Sequence, residues 1–212
     1  MDIALFSPAS LFADPDGDSN DEETKESHQN FVERKHQFPG MELIIREFSF
    51  HQLNANLLWP GTFAFAEWLV QNRSWMVGRR VIELGSGTGA LAIFLHKSFN
   101  LNITTSDYDD PDIEDNIAHN CRFNGIIPVL PHIKHSWGEI FPITNPDWDL
   151  VIASDILLYA CLLPRPAFLM SWRRRIRKED ESLFFNGCDE AGLEVQHLGT
   201  RVYCIVPREV NC

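Results

Sequence analysis

The run Val81-Ile-Glu-Leu-Gly-Ser-Gly-Thr-Gly89 places an apolar strand before three alternating glycines. Glycine lets main chain come close to a bound molecule and takes up the backbone angles of a tight strand-to-helix turn. A ligand above the end of that strand is therefore expected, because glycines weaken a turn that has no close contact to make. Gly85, Gly87 and Ala90 also satisfy the Gly-x-Gly-x-x-Gly/Ala pattern, so a nicotinamide or flavin cofactor stays open at this point. Asp107 ends the next apolar stretch, in Thr104-Thr-Ser-Asp-Tyr-Asp-Asp110. A carboxylate there can accept hydrogen bonds from both hydroxyls of a ribose, a device that both cofactor classes use. Asp109, Asp110 and Asp112 crowd the same place, yet they precede a helix, whose N-terminal dipole favours carboxylates, and no metal is expected.

Presenting these residues together needs a sheet. After Gly78 the apolar pattern alternates between strand and helix, as expected of a parallel sheet with helices on its faces. Core strands are expected at residues 80–84, 102–106, 129–135 and 149–154. A first helix should start near Thr88. A second should have Asp110 as N-cap, Pro111 at N1, where its missing N–H costs nothing, and Ile113, Ile117 and Cys121 along one face. Further strands are expected at 168–173, 193–197 and 201–206, with a helix at 180–191. Gly199-Thr200 joins the last two strands so tightly that only an antiparallel hairpin fits. The fold class is α/β: a Rossmann-like, doubly wound, mostly parallel sheet with a C-terminal antiparallel hairpin.

Upstream, residues 42–50 have the β-branched and aromatic enrichment of a strand, and 62–72 look helical. Between Asp14 and Lys35 lie eight acidic and three basic residues with almost nothing apolar. Residues 1–40 are accordingly expected to be an acidic, disordered tail, and 41–212 one domain. With 212 residues, 44% hydrophobic, the chain supports one core and is short for two. Five cysteines without a Cys-x-x-Cys pair point to reduced thiols and no zinc site. The start of the chain lacks the pattern of a signal peptide, and no stretch is long enough to span a bilayer. A cytoplasmic location is expected, with the nucleus open and no membrane partner. A formal net charge of −12 disfavours nucleic acid. The one basic cluster, Trp172-Arg-Arg-Arg-Ile-Arg-Lys178, reads as a solvated strand end.

Glu83, an acidic residue just ahead of the glycines, makes the motif resemble that of class I, seven-strand methyltransferases that use S-adenosylmethionine. The terminal hairpin agrees with that resemblance, which implies that Gly85, Gly87 and Gly89 shape a pocket for the methionine and ribose. It also implies that Glu83 lies near the cofactor's cationic end and that Asp107 binds the ribose. Trp137, after the third core strand, would border the adenine. Trp59-Pro60-Gly61, Asn116, Asn120 and Ala153-Ser-Asp-Ile-Leu-Leu-Tyr159 make the chain similar to methyltransferase family sixteen, many of whose members methylate protein lysines. By that resemblance Trp59 and Asp155 border the cofactor, and Asp155 or Tyr159 positions the amine. The family has Asp-x-x-Tyr or Asp-x-x-Phe, whereas this chain has one more residue between Asp155 and Tyr159.

The family normally has a helix after the fourth core strand. Here about a dozen residues, with Pro164 and Pro166 among them, leave no room for a full one. A shortened variant is expected. The implied activity is methyl transfer from S-adenosylmethionine to a protein lysine, the partner being a protein substrate. A non-catalytic binding module and a nicotinamide-dependent oxidoreductase are the alternatives.

Overall fold

The fold is that of a computed structural model, which describes residues 31–51, 55, 57–136, 139, 141–143, 147–155, 167–172 and 178–208. It opens with a hairpin, β1 (Phe31–Phe38) and β2 (Met41–Phe48), paired antiparallel and turned at Gly40. Residues 31–38, expected in the tail before Met41, form the first strand of this hairpin. β1 is charged and mostly exposed, so composition disguised it. Its order comes from pairing with β2, whose Leu43, Ile45 and Phe48 are buried.

Helix α1 (Pro60–Gln71) leads to the main sheet: β3 (Arg80–Leu84), β4 (Asn102–Asp107), β5 (His132–Lys134), β6 (Leu150–Ser154), β7 (Ala167–Ser171), β8 (Leu193–Gly199) and β9 (Val202–Pro207). Helices α2 (Ala90–Phe99), α3 (Pro111–Phe123) and α4 (Lys178–Glu190) intervene. The strand order is β5-β4-β3-β6-β7-β9-β8. All pairs from β5 to β7 are parallel, and β9 lies antiparallel to both β7 and β8. This is the expected seven-stranded, mostly parallel α/β sheet with its terminal hairpin. The third core strand is shorter than expected, three residues instead of seven. Pro128 and Pro131 lack the N–H groups a longer ladder would need, and pairing with β4 starts at His132. The connection after Asp155, residues 156–166, lies outside the described residues, as does the question of its helix.

Alternation along the strands sorts the core into two layers. Val81, Leu150, Ile152 and Leu169 face α1, α2, α3 and the N-terminal hairpin. Ile82, Leu84, Val151, Ala153 and Met170 face the other way, toward Cys188 and Phe184 of α4 and toward Trp148 and Phe141. The chain winds outward from β3 in one direction to β5, then returns to β6 and winds the other way. A ligand crevice opens at such a reversal, beyond the carboxyl ends of β3 and β6.

The hairpin is fastened to this core by a row of asparagines on α3. Asn124 Oδ1 accepts from Ile44 N (3.1 Å), and its Nδ2 donates to Ile44 O (2.8 Å). One turn earlier, Asn120 Oδ1 accepts from Arg46 N (2.8 Å) and Nδ2 donates to Arg46 O (3.1 Å). Asn116 adds a bond from Nδ2 to Arg46 O (3.1 Å) and accepts from Arg46 Nε (2.7 Å). The match is geometric: four residues of helix advance about 6 Å and two residues of strand about 6.8 Å. Side-chain amides at i and i+4 therefore meet successive outward-facing peptide groups of β2 and satisfy its otherwise open edge.

Candidate functional site

At the crevice, β3 ends in Leu84 and the chain turns through Gly85, Gly87 and Gly89, all with positive φ (63°, 54° and 76°). Ser86 stitches the turn to β4: its N–H donates to Ser106 O (3.0 Å) and its Oγ accepts from Ser106 N (3.1 Å). Gly89 caps α2 in the left-handed region. A Cβ there would lie 3.0 Å from Ile117 Cγ2, so α3 packs directly against the turn. A Cβ on Gly87 would face the Ala55 carbonyl at 3.8 Å, which places Ala55 over the same turn. Asn120 reaches this turn too, donating through Nδ2 to Thr88 O (3.0 Å).

Asp107, the last residue of β4, accepts from Gly87 N with Oδ2 (2.6 Å) and from Tyr108 N with Oδ1 (2.7 Å). Burial pushes its carboxyl up, opposed by these two N–H groups. Glycine turn and carboxylate are thus joined directly. The predicted helix cap is present as well: Asp110 Oδ1 accepts from Asp112 N (2.9 Å), with Pro111 at the helix start and Ile113, Ile117 and Cys121 buried.

Glu83 points from β3 toward the N-terminus of α2 and is 2% exposed. Burial pushes its carboxyl up to about 8, opposed by hydrogen bonds from Ser86 and from the Ala92 main chain, while Asp107 adds repulsion. Its Oε2 is buried without a hydrogen-bonding partner among the described residues. A buried carboxylate oxygen is costly unless a donor or a cation meets it. The crevice therefore suits a ligand with positive charge near β3 and hydroxyls near β4. Such a donor set fits S-adenosylmethionine, which carries a sulfonium, an ammonium and a ribose diol. A dinucleotide would bring a pyrophosphate to this turn, against two carboxylates.

On the other side of the reversal, Asp155 follows β6 with a φ of 58°. Its Oδ2 accepts from Gly61 N (2.7 Å) in the first turn of α1. Nearby, Thr62 Oγ1 and Ser154 Oγ share a hydrogen bond (3.0 Å), and Ser171 Oγ donates to Gly61 O (3.3 Å). These contacts dock the start of α1 on the ends of β6 and β7. Trp59, the N-cap residue, is half-buried and makes no side-chain capping bond.

The structure brings Glu83, Gly85, Gly87, Gly89 and Asp107 together and sets Trp59 and Asp155 at one margin. Trp137 and Tyr159 lie outside the described residues. Sequence reasoning missed Ser86, Thr62, Ser154, Ser171 and Asn124, small polar residues with no distinguishing pattern. It also missed His51, whose only signal is its place just past a strand end. Among the described residues no group of three or more His, Cys, Asp or Glu could hold a metal, and no helix is long and apolar enough to cross a membrane.

A family model described as lysine methyltransferase matches residues 37–191. Among curated proteins, the chain is 29% identical over 101 residues to the histone-arginine methyltransferase METTL23 of Xenopus laevis, covering 47% of this chain and 43% of that one. It is 39% identical over 100 residues to the electron transfer flavoprotein beta subunit lysine methyltransferase of Rattus norvegicus (47% and 37%). It is 24% identical over 184 residues to the protein N-terminal and lysine N-methyltransferase efm7 of Aspergillus fumigatus (81% and 68%). The chain thus spans less than half the length of the first two relatives. Among solved structures, the T. thermophilus 16S rRNA N2 G1207 methyltransferase RsmC, in complex with AdoMet and guanosine, superposes with a TM-score of 0.58 at 14% identity (84% and 51%). SAH-bound Podospora anserina PaMTH1 gives 0.51 at 12% (76% and 83%). At such identities the likeness is one of fold.

Proposed function

The chain belongs to the lysine methyltransferase family, and from that premise we propose that it is an S-adenosylmethionine-dependent methyltransferase acting on a protein nitrogen, a lysine side chain. The observation that carries the cofactor reading is Glu83 Oε2, a buried carboxylate oxygen without a partner among the described residues, beside a glycine turn bonded to Asp107. The lysine reading is supported by the family and by relatives named for lysine, arginine and N-terminal methylation, all of them on protein nitrogens. The −12 charge supports a protein acceptor over a nucleic acid.

S-adenosylmethionine supplies an electrophilic methyl whose bond to a sulfonium breaks as the acceptor nitrogen attacks, leaving a neutral thioether. Glu83, kept dry beneath α2, offers negative charge to that cationic end. Asp107 offers its oxygens to the ribose hydroxyls, exchanging the Gly87 N–H for them. Gly85, Gly87 and Gly89 bring main chain close to the ligand without side chains in the way. Alignment supplies most of the rate in such a displacement. An attacking lysine must first lose a proton, and the carboxylate at the acceptor side is Asp155. Its Oδ2 is held by Gly61 N, so Asp155 positions α1 and Trp59 as well as bordering the acceptor. Trp137 belongs to the same reading as an adenine neighbour, and Tyr159 as a second group that positions the amine.

Titration of the purified chain with S-adenosylmethionine by calorimetry, with NAD and an Asp107→Ala variant as controls, tests the cofactor. Saturable binding of S-adenosylmethionine alone, weakened in the variant, is expected. A lysate methylation assay, read by mass spectrometry for modified lysines, then tests the acceptor. Binding without turnover would sink the enzyme reading and leave a binding module.

A further inference from the structure

The stretch between β2 and α1 begins at His51, which is 5% exposed. Its Nε2 lies 3.3 Å from Asp110 Oδ2, and its ring packs on Phe48 with centroids 5.7 Å apart. A ring nitrogen facing a carboxylate carries the hydrogen. Asp110 is itself held by the start of α3 through its other oxygen, so His51 meets a fixed acceptor. The imidazole is also near enough to Asp107 to favour the ionised carboxylate, while Asp110 disfavours it. Ten residues on, the same stretch ends at Gly61, bonded to Asp155. Asp110 follows β4, Asp155 follows β6, and β3 with its glycine turn lies between them. The described residues of the stretch thus meet both sides of the crevice, His51 beside Asp110 and Gly61 beside Asp155, with buried Ala55 over Gly87.

We propose that His51 is a cofactor-positioning residue: through Asp110 it ties the end of the N-terminal hairpin to the start of α3 just past β4, so that Asp107 is held where it meets the ribose hydroxyls. The proposal rests on the S-adenosylmethionine reading above and adds a residue to it. Its chemistry confines the effect to the nucleoside half of the ligand. The cationic half is served by Glu83, whose Oε2 has no hydrogen-bonding partner among the described residues.

The unaltered 212-residue chain, His51→Ala, His51→Gln and Glu83→Gln are compared by calorimetry with S-adenosylmethionine and by competition with adenosine, which has the ribose and base but no sulfonium or methionine. Melting curves without ligand accompany each variant. His51→Ala is expected to weaken both ligands by the same factor, roughly ten- to a hundredfold, the range of a hydrogen bond to a charged group. His51→Gln, which can return an N–H to Asp110, is expected to recover most of the loss. Glu83→Gln should weaken S-adenosylmethionine and spare adenosine. A purely structural role would lower the melting temperature of the His51 variants and leave both affinities unchanged, overturning the proposal. A loss for S-adenosylmethionine without one for adenosine would also overturn it. If the unaltered chain bound neither ligand, the cofactor reading itself would fall.

Discussion

Asp155 Oδ2 accepts from Gly61 N at 2.7 Å, and a methyl group added at Gly61 would collide with that same oxygen. One residue thus requires the other to be the smallest residue available. Proline at the first position of α1 leaves Gly61 N as the first amide that a cap can satisfy, and the cap arrives from a strand end 94 residues away.

The first prediction concerns that pair. Asp155→Ala removes a cap and is expected to cost about 1 kcal/mol in denaturant unfolding. Gly61→Ala overpacks the contact and should cost about 1–3 kcal/mol. In the double variant the penalty of Gly61→Ala should shrink, because the oxygens it strikes are gone. Additive penalties in a double-mutant cycle would contradict the contact.

A second prediction follows from the raised Glu83 carboxyl. Its value of about 8 exceeds the ordinary 4.5, so the folded chain holds this proton more tightly than the unfolded chain does. The stabilisation is complete below about 4.5 and lost as pH rises through about 8. Ligand-free protein should therefore lose stability relative to Glu83→Gln across that window, as read by thermal melts in a pH series. Parallel curves would contradict it. A cation binding beside Oε2 should release the proton, so near neutral pH the titration heat should vary with the buffer's ionisation enthalpy in the parent and not in Glu83→Gln.

The asparagine row gives a third. Asn120→Ala leaves the peptide group of Arg46 and the Thr88 carbonyl with fewer partners, and a loss of about 1–3 kcal/mol is expected. Asn120→Asp should cost more, since it sets a carboxylate against two carbonyl oxygens. Hydrogen exchange at Arg46 N should accelerate in both variants, while Val81 and Ile82 at the sheet centre stay protected.

The fourth is local to the glycine turn. Gly89→Ala combines a φ of 76° with a methyl 3.0 Å from Ile117. The left-handed conformation alone costs a side chain roughly 1–2 kcal/mol. Shortening Ile117 to Ala, which removes both Cγ atoms the methyl meets, should relieve the contact and not the conformational part, leaving a residual loss in denaturant unfolding relative to Ile117→Ala alone.

What could be read beforehand was whatever has a period or a spacing. The strand before Gly85, the cap at Asp110 with Pro111 behind it, and the terminal hairpin around Gly199 all repeat local rules, and they appear where those rules put them. β1 escaped because Glu33, Arg34 and Lys35 look like tail until their partner strand is known. Glu83 could be placed at the cofactor's end of the strand, yet nothing in the run Val81–Gly89 announces that one oxygen would be buried with no partner among the described residues; that depends on α2 closing over it. His51 and Asp155 act through groups tens of residues away, which no local pattern records. Asn116, Asn120 and Asn124 show a helical spacing, but that spacing alone does not say whether they face solvent, a ligand or, as here, a strand edge.

That row of amides grips peptide groups, and among the described residues the Arg46 guanidinium is the one side chain it hydrogen-bonds. A helix that reads main chain is indifferent to what the strand displays. Exposed side chains of the hairpin such as Val32 and Glu42 can therefore be exchanged without touching these bonds, so its surface can drift in chemistry while the frame behind it stays constant.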